Sequence, residues 1–323
     1  MKRLPISVAM CTYNGGRFLA EQLESIAVQT RLPDELVVCD DRSTDESVEI
    51  VRNFARHAPF PVQLEINEEN LGSTKNFEKA IGLCQGEIIA LADQDDVWYP
   101  KKLELLESVF LARPSVGAVF SDAEVMGEDQ VTLGYRLWSS VGFSPARQKG
   151  ISNGRGAQVL INRNVVTGAT MAFRTKFRDL LLPVPKIWVH DAWIALLVSA
   201  IADLALIGEP LIQYRRHPGQ QIGPLDSTLA QSIASAKRAG ADEYYALAQQ
   251  FTSARERLLT AGEGSRIQAV IPQLDIKIKH LNARALIATK RLSRLPRILE
   301  ELLSCRYHRY SRGWRSVAKD LLL

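Results

Sequence analysis

Asp93-Gln94-Asp95-Asp96 sets three carboxylates in four positions, directly after Glu87-Ile88-Ile89-Ala90-Leu91-Ala92. Like charges this close repel, and a hard divalent cation relieves the repulsion. Mg²⁺ or Mn²⁺ binds well to one or two carboxylates together with the phosphates of a substrate. The run before the acids reads as a short buried strand bounded upstream by Gly86. Acids at the end of such a strand sit at the crevice where α/β sheets bind ligands. The other reading is a solvated turn, with Asp96 capping the next helix and Pro100 in its first turn. Further polar groups follow the same pattern: Thr12-Tyr13-Asn14 and Asp40-Asp41 after apolar runs, then His190-Asp191 before one.

The elements that must hold these groups alternate. Ile6–Met10 reads as a strand, Thr12–Gly16 as a turn, and Leu19, Leu23 and Ile26 mark a helix. Leu36–Cys39 is a second strand, and Ser43 with Glu46 forms a capping box for a helix carrying Val48, Val51 and Phe54. Val62–Ile66 alternates as a strand, Asn70-Leu71-Gly72 turns, and a helix holds Phe77, Ala80, Ile81 and Cys84. After the acidic turn come a helix with Leu103, Leu106 and Phe110, and a strand over Val116–Phe120. Strand–helix alternation argues for a parallel, doubly wound sheet with three polar turns on one edge. Residues 122–167 read as a long loop region with short helices, and Gly168–Phe173 as a returning strand. An apolar helix starts near Ile194, and Leu204–Ile207 and Leu211–Tyr214 read as two short strands. No Walker lysine motif and no GxGxxG fingerprint occurs, which counts against a P-loop NTPase or an NAD enzyme.

The 323 residues, 46% hydrophobic and 24% charged, suit one large folded domain with an appendage. The apolar stretch Ile194–Ala202 is far short of the roughly 20 residues that span a bilayer. Met1–Pro5 leads straight into a strand, so no signal peptide is expected. Cys11, Cys39, Cys84 and Cys305 lack CxxC spacing, and the apolar strand contexts of Cys11 and Cys39 favour buried thiols in a reducing compartment over zinc or disulfides. The net charge of +4 is uneven: residues 225–323 carry 17 Lys/Arg against 9 Asp/Glu, whereas residues 1–224 carry 23 against 27. From Ser227 the pattern is helical and basic, with a break at Gly262–Gly264 and a stripe of Ile276, His280, Ala283, Ile287 and Arg291. Tyr307–Arg315 interleaves aromatics with cations, as a membrane interface would. Nothing else resembles a nucleic-acid-reading module. Residues 1–224 are expected to form the α/β domain, and residues 225–323 a helical region for membrane association or dimerisation.

Thr12-Tyr13-Asn14-Gly15, Val38-Cys39-Asp40-Asp41-Arg42-Ser43-Thr44-Asp45, Asn70-Leu71-Gly72, Asp93-Gln94-Asp95-Asp96 and His190-Asp191 occur in one order over residues 5–220. On these motifs the chain resembles the inverting family 2 glycosyltransferases. Within them, His190-Asp191-Ala192-Trp193, Tyr214-Arg215-Arg216-His217 and the tail Lys319–Leu323 are most similar to rhamnosyltransferase-type members of polysaccharide assembly. The resemblance implies a GT-A fold, a mostly parallel sheet flanked by helices, plus a helical C-terminal appendage. It implies transfer from a UDP- or dTDP-linked sugar to a saccharide or lipid-linked acceptor, with Mg²⁺ or Mn²⁺, at the cytoplasmic face of the cell membrane. Asp93 and Asp95 match the DxD motif, with Asp95 the direct metal ligand, and Asp191 matches the catalytic base. Asp40 or Asp41 would bind the base or ribose, with Thr12 and Tyr13 lining the pocket. Asn14, Asn70, Gly72 and Gln94 belong to the matched donor motifs. Lys75 reads as a solvated lysine or a diphosphate contact, and His217 as a surface residue or a metal or phosphate ligand. Trp188 and Trp193 read as core or as acceptor-stacking residues, and Arg215 and Arg216 as solvated or phosphate-binding. Two departures stand out: His190 where the family often has an acid, and Arg42 where many members have glycine. Two rival readings remain, a nucleotidyltransferase on a similar fold and an inactive relative serving as a scaffold. The first loop, Cys11–Arg17, lacks the Gly/Arg-rich character usual in nucleotidyltransferases.

Overall fold

The computed structural model describes residues 3–218, 240–289 and 294–322. Gly219–Gln221, the helical onset at Ser227 and Arg291 lie outside the described residues. The chain divides into two compact units, residues 1–156 with 165–224, and residues 157–164 with 225–323.

In the first unit β1 (Ile6–Thr12), β2 (Glu35–Asp40), β3 (Val62–Ile66) and β4 (Ile88–Ala92) form the parallel half of the sheet. Between them run α1 (Gly16–Ala27), α2 (Ser47–Ala55) and α3 (Ser73–Leu83). β1 and β4 are buried along their whole length, as strands covered on both faces must be. β5 (Val97–Trp98), α4 (Lys102–Ala112), β6 (Val116–Met126) and β7 (Thr132–Arg136) follow. Next come α5 (Leu137–Ser140), α6 (Pro145–Ser152) and α7 (Gly156–Asn162), then β8 (Met171–Arg174), α8 (Arg178–Leu181), α9 (His190–Ser199) and β9 (Asp203–Arg215). The sheet order is β3-β2-β1-β4-β8-β6-β9-β5, with β7 added on β6. β8 enters antiparallel between β4 and β6, and β9 runs parallel to β6, so the sheet is mixed, with β1 to β4 all parallel.

Register decides where the polar turns emerge. Thr12 pairs with Asp40, and Met10 with Ala92. The ends of β1, β2 and β4 therefore open on one edge, and Asp93 leaves the sheet beside Cys11. Leu19, Leu23 and Ile26 of α1 pack against Val8, Leu36, Val38 and Ile88 in the core below.

Several local expectations change. Residues 122–167 are not mainly loop, because β6 continues to Met126 and turns back as β7 before the three short helices. Gly168–Thr170 is a 3₁₀ turn, and the strand begins only at Met171. Residues 203–215 form one strand, with irregular register opposite Asp122 absorbing Gly208–Pro210. The Ser43–Glu46 capping box does not form: α2 starts at Ser47, and Asp45 Oδ1 receives the Ser47 N–H.

The second unit holds α10 (Ala241–Thr260), α11 (Ser265–Thr289), α12 (Arg294–Leu303), α13 (Arg306–Tyr310) and α14 (Trp314–Leu322). Asn162, at the end of α7, donates to the Arg309 carbonyl at 2.8 Å, which ties residues 157–164 to this unit. The buried stripe of α11 is Leu274, Lys277, His280, Leu281, Arg284, Ala285 and Ile287, whereas Ile276 is exposed. Tyr307 and Tyr310 are buried too, so of the aromatics read as interfacial only Trp314 is well exposed. Among the described residues no helix is long and apolar enough to cross a membrane.

Candidate active site at the strand ends

The loops on the open edge are tied together by their own side chains. Asp40 accepts Thr12 Oγ1 at 2.7 Å and the Ser43 hydroxyl and N–H at 2.6 and 2.8 Å. Asp41 accepts the Leu71 and Gly72 N–H groups at 2.7 and 2.9 Å and Asn67 Nδ2 at 2.9 Å. Asn70 adds a bond to the Asp41 carbonyl at 3.3 Å, and Gly72 takes φ +78°, which favours glycine. Both carboxylates are buried and engaged, which makes them builders of the loops that sequence reading assigned to the nucleotide. Asn14, at φ 47°, accepts the Thr44 N–H at 2.8 Å. Gln94 grips the backbone of Tyr13 from both sides, accepting its N–H at 2.8 Å and donating to its carbonyl at 3.1 Å. A Cβ on Gly15 would lie 2.2 Å from Gln94 Oε1, so this grip requires glycine there. The Tyr13 ring remains exposed at the rim. Arg42 sits at φ 65°, the left-handed conformation that the family's glycine would meet without strain.

The acidic turn is held from the far end of the chain. Arg215 donates its N–H to Asp96 Oδ1 at 3.0 Å and its Nε to the Asp95 carbonyl at 2.7 Å. Its guanidinium also meets Glu21 at 2.5 Å and lies 4.6 Å from the centre of the Phe18 ring. Arg215 is therefore a buried strut of the turn, and Arg216 donates to Tyr135 Oη at 2.9 Å. Two residues on, His217 Nε2 stands 2.8 Å from Asp95 Oδ2, with its ring 5.1 Å from that of Phe18.

Asp93, Asp95 and Asp191 are half-buried, and Asp96 is fully buried with Oδ2 lacking a partner among the described residues. Burial, then Asp95 and Asp191, push the Asp93 carboxyl up to about 7. Asp96 is raised by burial and by Asp95 and Asp93, against the Arg215 N–H and Lys102. Burial pushes Asp191 up to about 6, against N–H donors from Gly168 at 3.0 Å and Ala192 at 2.5 Å. The phenol of Tyr214 is raised by burial and by all four of these acids, which locates it among them. His190 stacks on Phe77 at 4.0 Å, and burial lowers it to about 3. A neutral packed imidazole thus replaces the family's second acid beside Asp191.

Asp93, Asp95, Asp191 and His217 come together, with Thr12, Tyr13 and Gln94 on the adjoining loops. Lys75 does not join them: it pairs with Glu78 at 2.6 Å beside Leu71, Leu182 and Lys186. Trp188 and Trp193 are buried and pack on each other at 5.6 Å, which settles them as core. Lys102 escaped sequence reading, because a lysine in the first turn of a helix looks solvated, yet it is wholly buried.

Carboxylate oxygens and an imidazole suit Mg²⁺ or Mn²⁺, and a cation would relieve the repulsion that adds to burial in raising Asp93. Among the described residues no three His, Cys, Asp or Glu side chains are preset around one point. Asp95, His217 and Asp93 would thus supply part of a coordination shell, and ligand phosphate oxygens the rest.

The model of the family described as glycosyl transferase family 2 matches residues 7–176. An uncharacterized glycosyltransferase of Nostoc sp. is 24% identical over 271 residues, spanning 82% of this chain and 79% of that one. The structure of Staphylococcus aureus TarS 1-349 with UDP-GlcNAc superposes with a TM-score of 0.57 at 18% identity, over 90% of this chain and 74% of that one. The mannosyltransferase PcManGT from Pyrobaculum calidifontis, solved with GDP-Man and Mn²⁺, gives 0.53 at 20% identity, over 99% and 86%. The structural likenesses establish the GT-A type of fold. Because the family match runs from β1 through β8 and takes in every strand end described above except that of β9, this chain belongs to glycosyl transferase family 2 and is a glycosyltransferase.

Proposed function

We propose that the chain transfers a sugar, with inversion, from a nucleoside diphosphate to a hydroxyl of a saccharide or lipid-linked saccharide. The observation that carries this reading is the convergence of half-buried Asp191 with Asp93, Asp95 and Asp96 around Tyr214. Asp191 takes the proton of the acceptor hydroxyl. The acceptor oxygen then forms its bond to the anomeric carbon as the bond from that carbon to the diphosphate oxygen breaks. Attack on the face opposite the leaving nucleoside diphosphate inverts the anomeric configuration. Asp95 and His217, with Asp93 beside them, would hold a divalent cation, which would supply positive charge to offset the negative charge growing on the diphosphate. Tyr13 and Thr12 line the donor side, on loops held by Gln94 and Asp40. The proposed donors are UDP- and dTDP-linked sugars, rhamnose foremost on the strength of the motif resemblance.

Calorimetry with UDP and dTDP, with Mn²⁺ or with EDTA, tests the site. Binding is expected to need the cation and to weaken in Asp95→Asn. Equal affinity in EDTA would remove the cation from the reading. Retained anomeric configuration in the product, read by NMR, would remove inversion.

The second unit is proposed to hold the enzyme on anionic lipid at the inner face of the membrane. Its sequence excess of positive charge is joined by an exposed apolar ridge, Leu295, Leu299 and Leu303, one turn apart on α12. Co-sedimentation with phosphatidylglycerol vesicles should fall at least severalfold for the triple Leu→Asn variant. Unchanged sedimentation with a loss of self-association in that variant would instead assign the ridge to a dimer.

A further inference from the structure

We infer that Lys102 is a positioning residue for the base: its buried Nζ clamps the Gly168–Thr170 turn, and that turn fixes the Asp191 carboxylate. The inference rests on the reading of Asp191 as the base.

Lys102 opens α4, where the helix dipole disfavours a cation, and it is wholly buried. Taking an ammonium out of water is costly unless specific partners replace the water. Three sets of partners do so here. Nζ donates to the Ala169 carbonyl at 2.6 Å. It lies 3.5 Å from the centre of the Trp98 ring, whose own backbone N–H is held by Ser25 Oγ at 3.0 Å. Burial pushes the amine well below its ordinary value, and Asp96 and Asp93 of the acidic turn act against that.

The Ala169 carbonyl belongs to a turn just ahead of the sheet ladder, where β8 begins to pair with β6 at Met171. There the Lys102 Nζ donates to it. The first residue of the same turn, Gly168, donates its N–H to Asp191 Oδ2 at 3.0 Å. A Cβ on Gly168 would lie 3.0 Å from His190 Nε2 and 3.5 Å from Asp191 Cβ, so the turn presses directly on the first turn of α9. One side chain thus connects the metal-side acids to the orientation of the base. Freed from the clamp, the turn would let Asp191 lose an N–H donor that favours its ionised form and drift from the acceptor oxygen.

The test is a double-mutant cycle on the full chain, with donor affinity read separately by calorimetry. Lys102→Met keeps the length of the stem and removes the ammonium. It is expected to lower kcat by about 10- to 100-fold and to leave the donor Kd within about twofold. In an Asp191→Asn background the same substitution should change the residual turnover by less than about twofold, because there is no base left to misplace. If Lys102→Met does not fold, the cycle is run on Lys102→Met/Asp96→Asn against Asp96→Asn, which removes cation and opposing carboxylate together. An equal cost in both backgrounds would overturn the inference while leaving Asp191 as the base. Full turnover of Asp191→Asn alone would overturn the base reading and this inference with it.

Discussion

Each unit contains a buried lysine that does the same local job in a different electrostatic setting. Lys102 holds the Ala169 carbonyl at 2.6 Å over the Trp98 ring, and Lys277 holds the Tyr310 carbonyl at 2.7 Å beside the Phe251 ring. Lys277 is pushed down to about 7 by burial and by Arg284, and Lys102 is pushed well below its ordinary value by burial, with Asp96 and Asp93 acting against that. The charged neighbours of Lys277, Arg284 and His280, are paired. Arg284 pairs with Asp320 through two bonds of 2.7 and 2.8 Å and also reaches Tyr244 and Ser311, while His280 bridges Glu301 and Ser311. Around Lys102 the acids are in excess and incompletely matched: Asp96 has an orphan oxygen, and Asp93 and Asp191 are pushed up to about 7 and 6. The network around Lys277 has settled its buried charge into structure, whereas the strand-end edge retains a demand for positive charge and for protons. That residual demand is what distinguishes a reactive cluster from a structural one.

The comparison can be broken in order of expected effect. Asp191→Asn should lower turnover by about 10²–10⁴ with cation-dependent donor binding nearly intact. Turnover within about threefold of the parent would move the base elsewhere, Asp96 being next. On the other side, Arg284→Met should destabilise the second unit by about 3–5 kcal/mol, because it strands Asp320 in the interior. Urea unfolding followed by circular dichroism reads this, and a change below about 1 kcal/mol would show that the network is not holding the helices. The smallest effect is in pH. As the proposed base, Asp191 must be ionised to accept a proton, so kcat should rise about tenfold from pH 5 to 7, through its value of about 6. A profile flat down to the ordinary carboxylate range would deny Asp191 that role. The sign for stability is opposite: a folded value raised above 3.8 means that the native state loses stability as pH climbs toward 6.

The polar turns were readable because each follows a short apolar run, and β1, β2 and β4 do end where Thr12, Asp40 and Asp93 begin. What those carboxylates do was less readable. Asp40 and Asp41 are engaged by Ser43, Leu71 and Gly72, bonds that depend on loop closure between strands and leave no periodic signal. Ser43 and Glu46 have capping-box spacing, but Ser43 is drawn to Asp40 by a stronger, charged acceptor. Gly208-Glu209-Pro210 looked like a break between two strands, yet a register irregularity accommodates it inside β9. The helical stripe of the tail was legible in part: His280 and Ile287 belong to the buried face, but Lys277 and Arg284 do too, and a pattern that treats cations as surface residues skips them.

The bond between Asp95 and His217 spans 122 residues of chain, and the struts from Arg215 span nearly as many. A ribosome delivers the acidic turn long before the strand that steadies it. Until β9 has emerged and threaded between β6 and β5, the emerging chain carries a repelling cluster with no anchor. Closing so long a loop is slow, so this corner should be the last of the first unit to assemble. Catalytic competence is thereby coupled to completed synthesis: a chain released before residue 215 would have most of the sheet and none of the clasp.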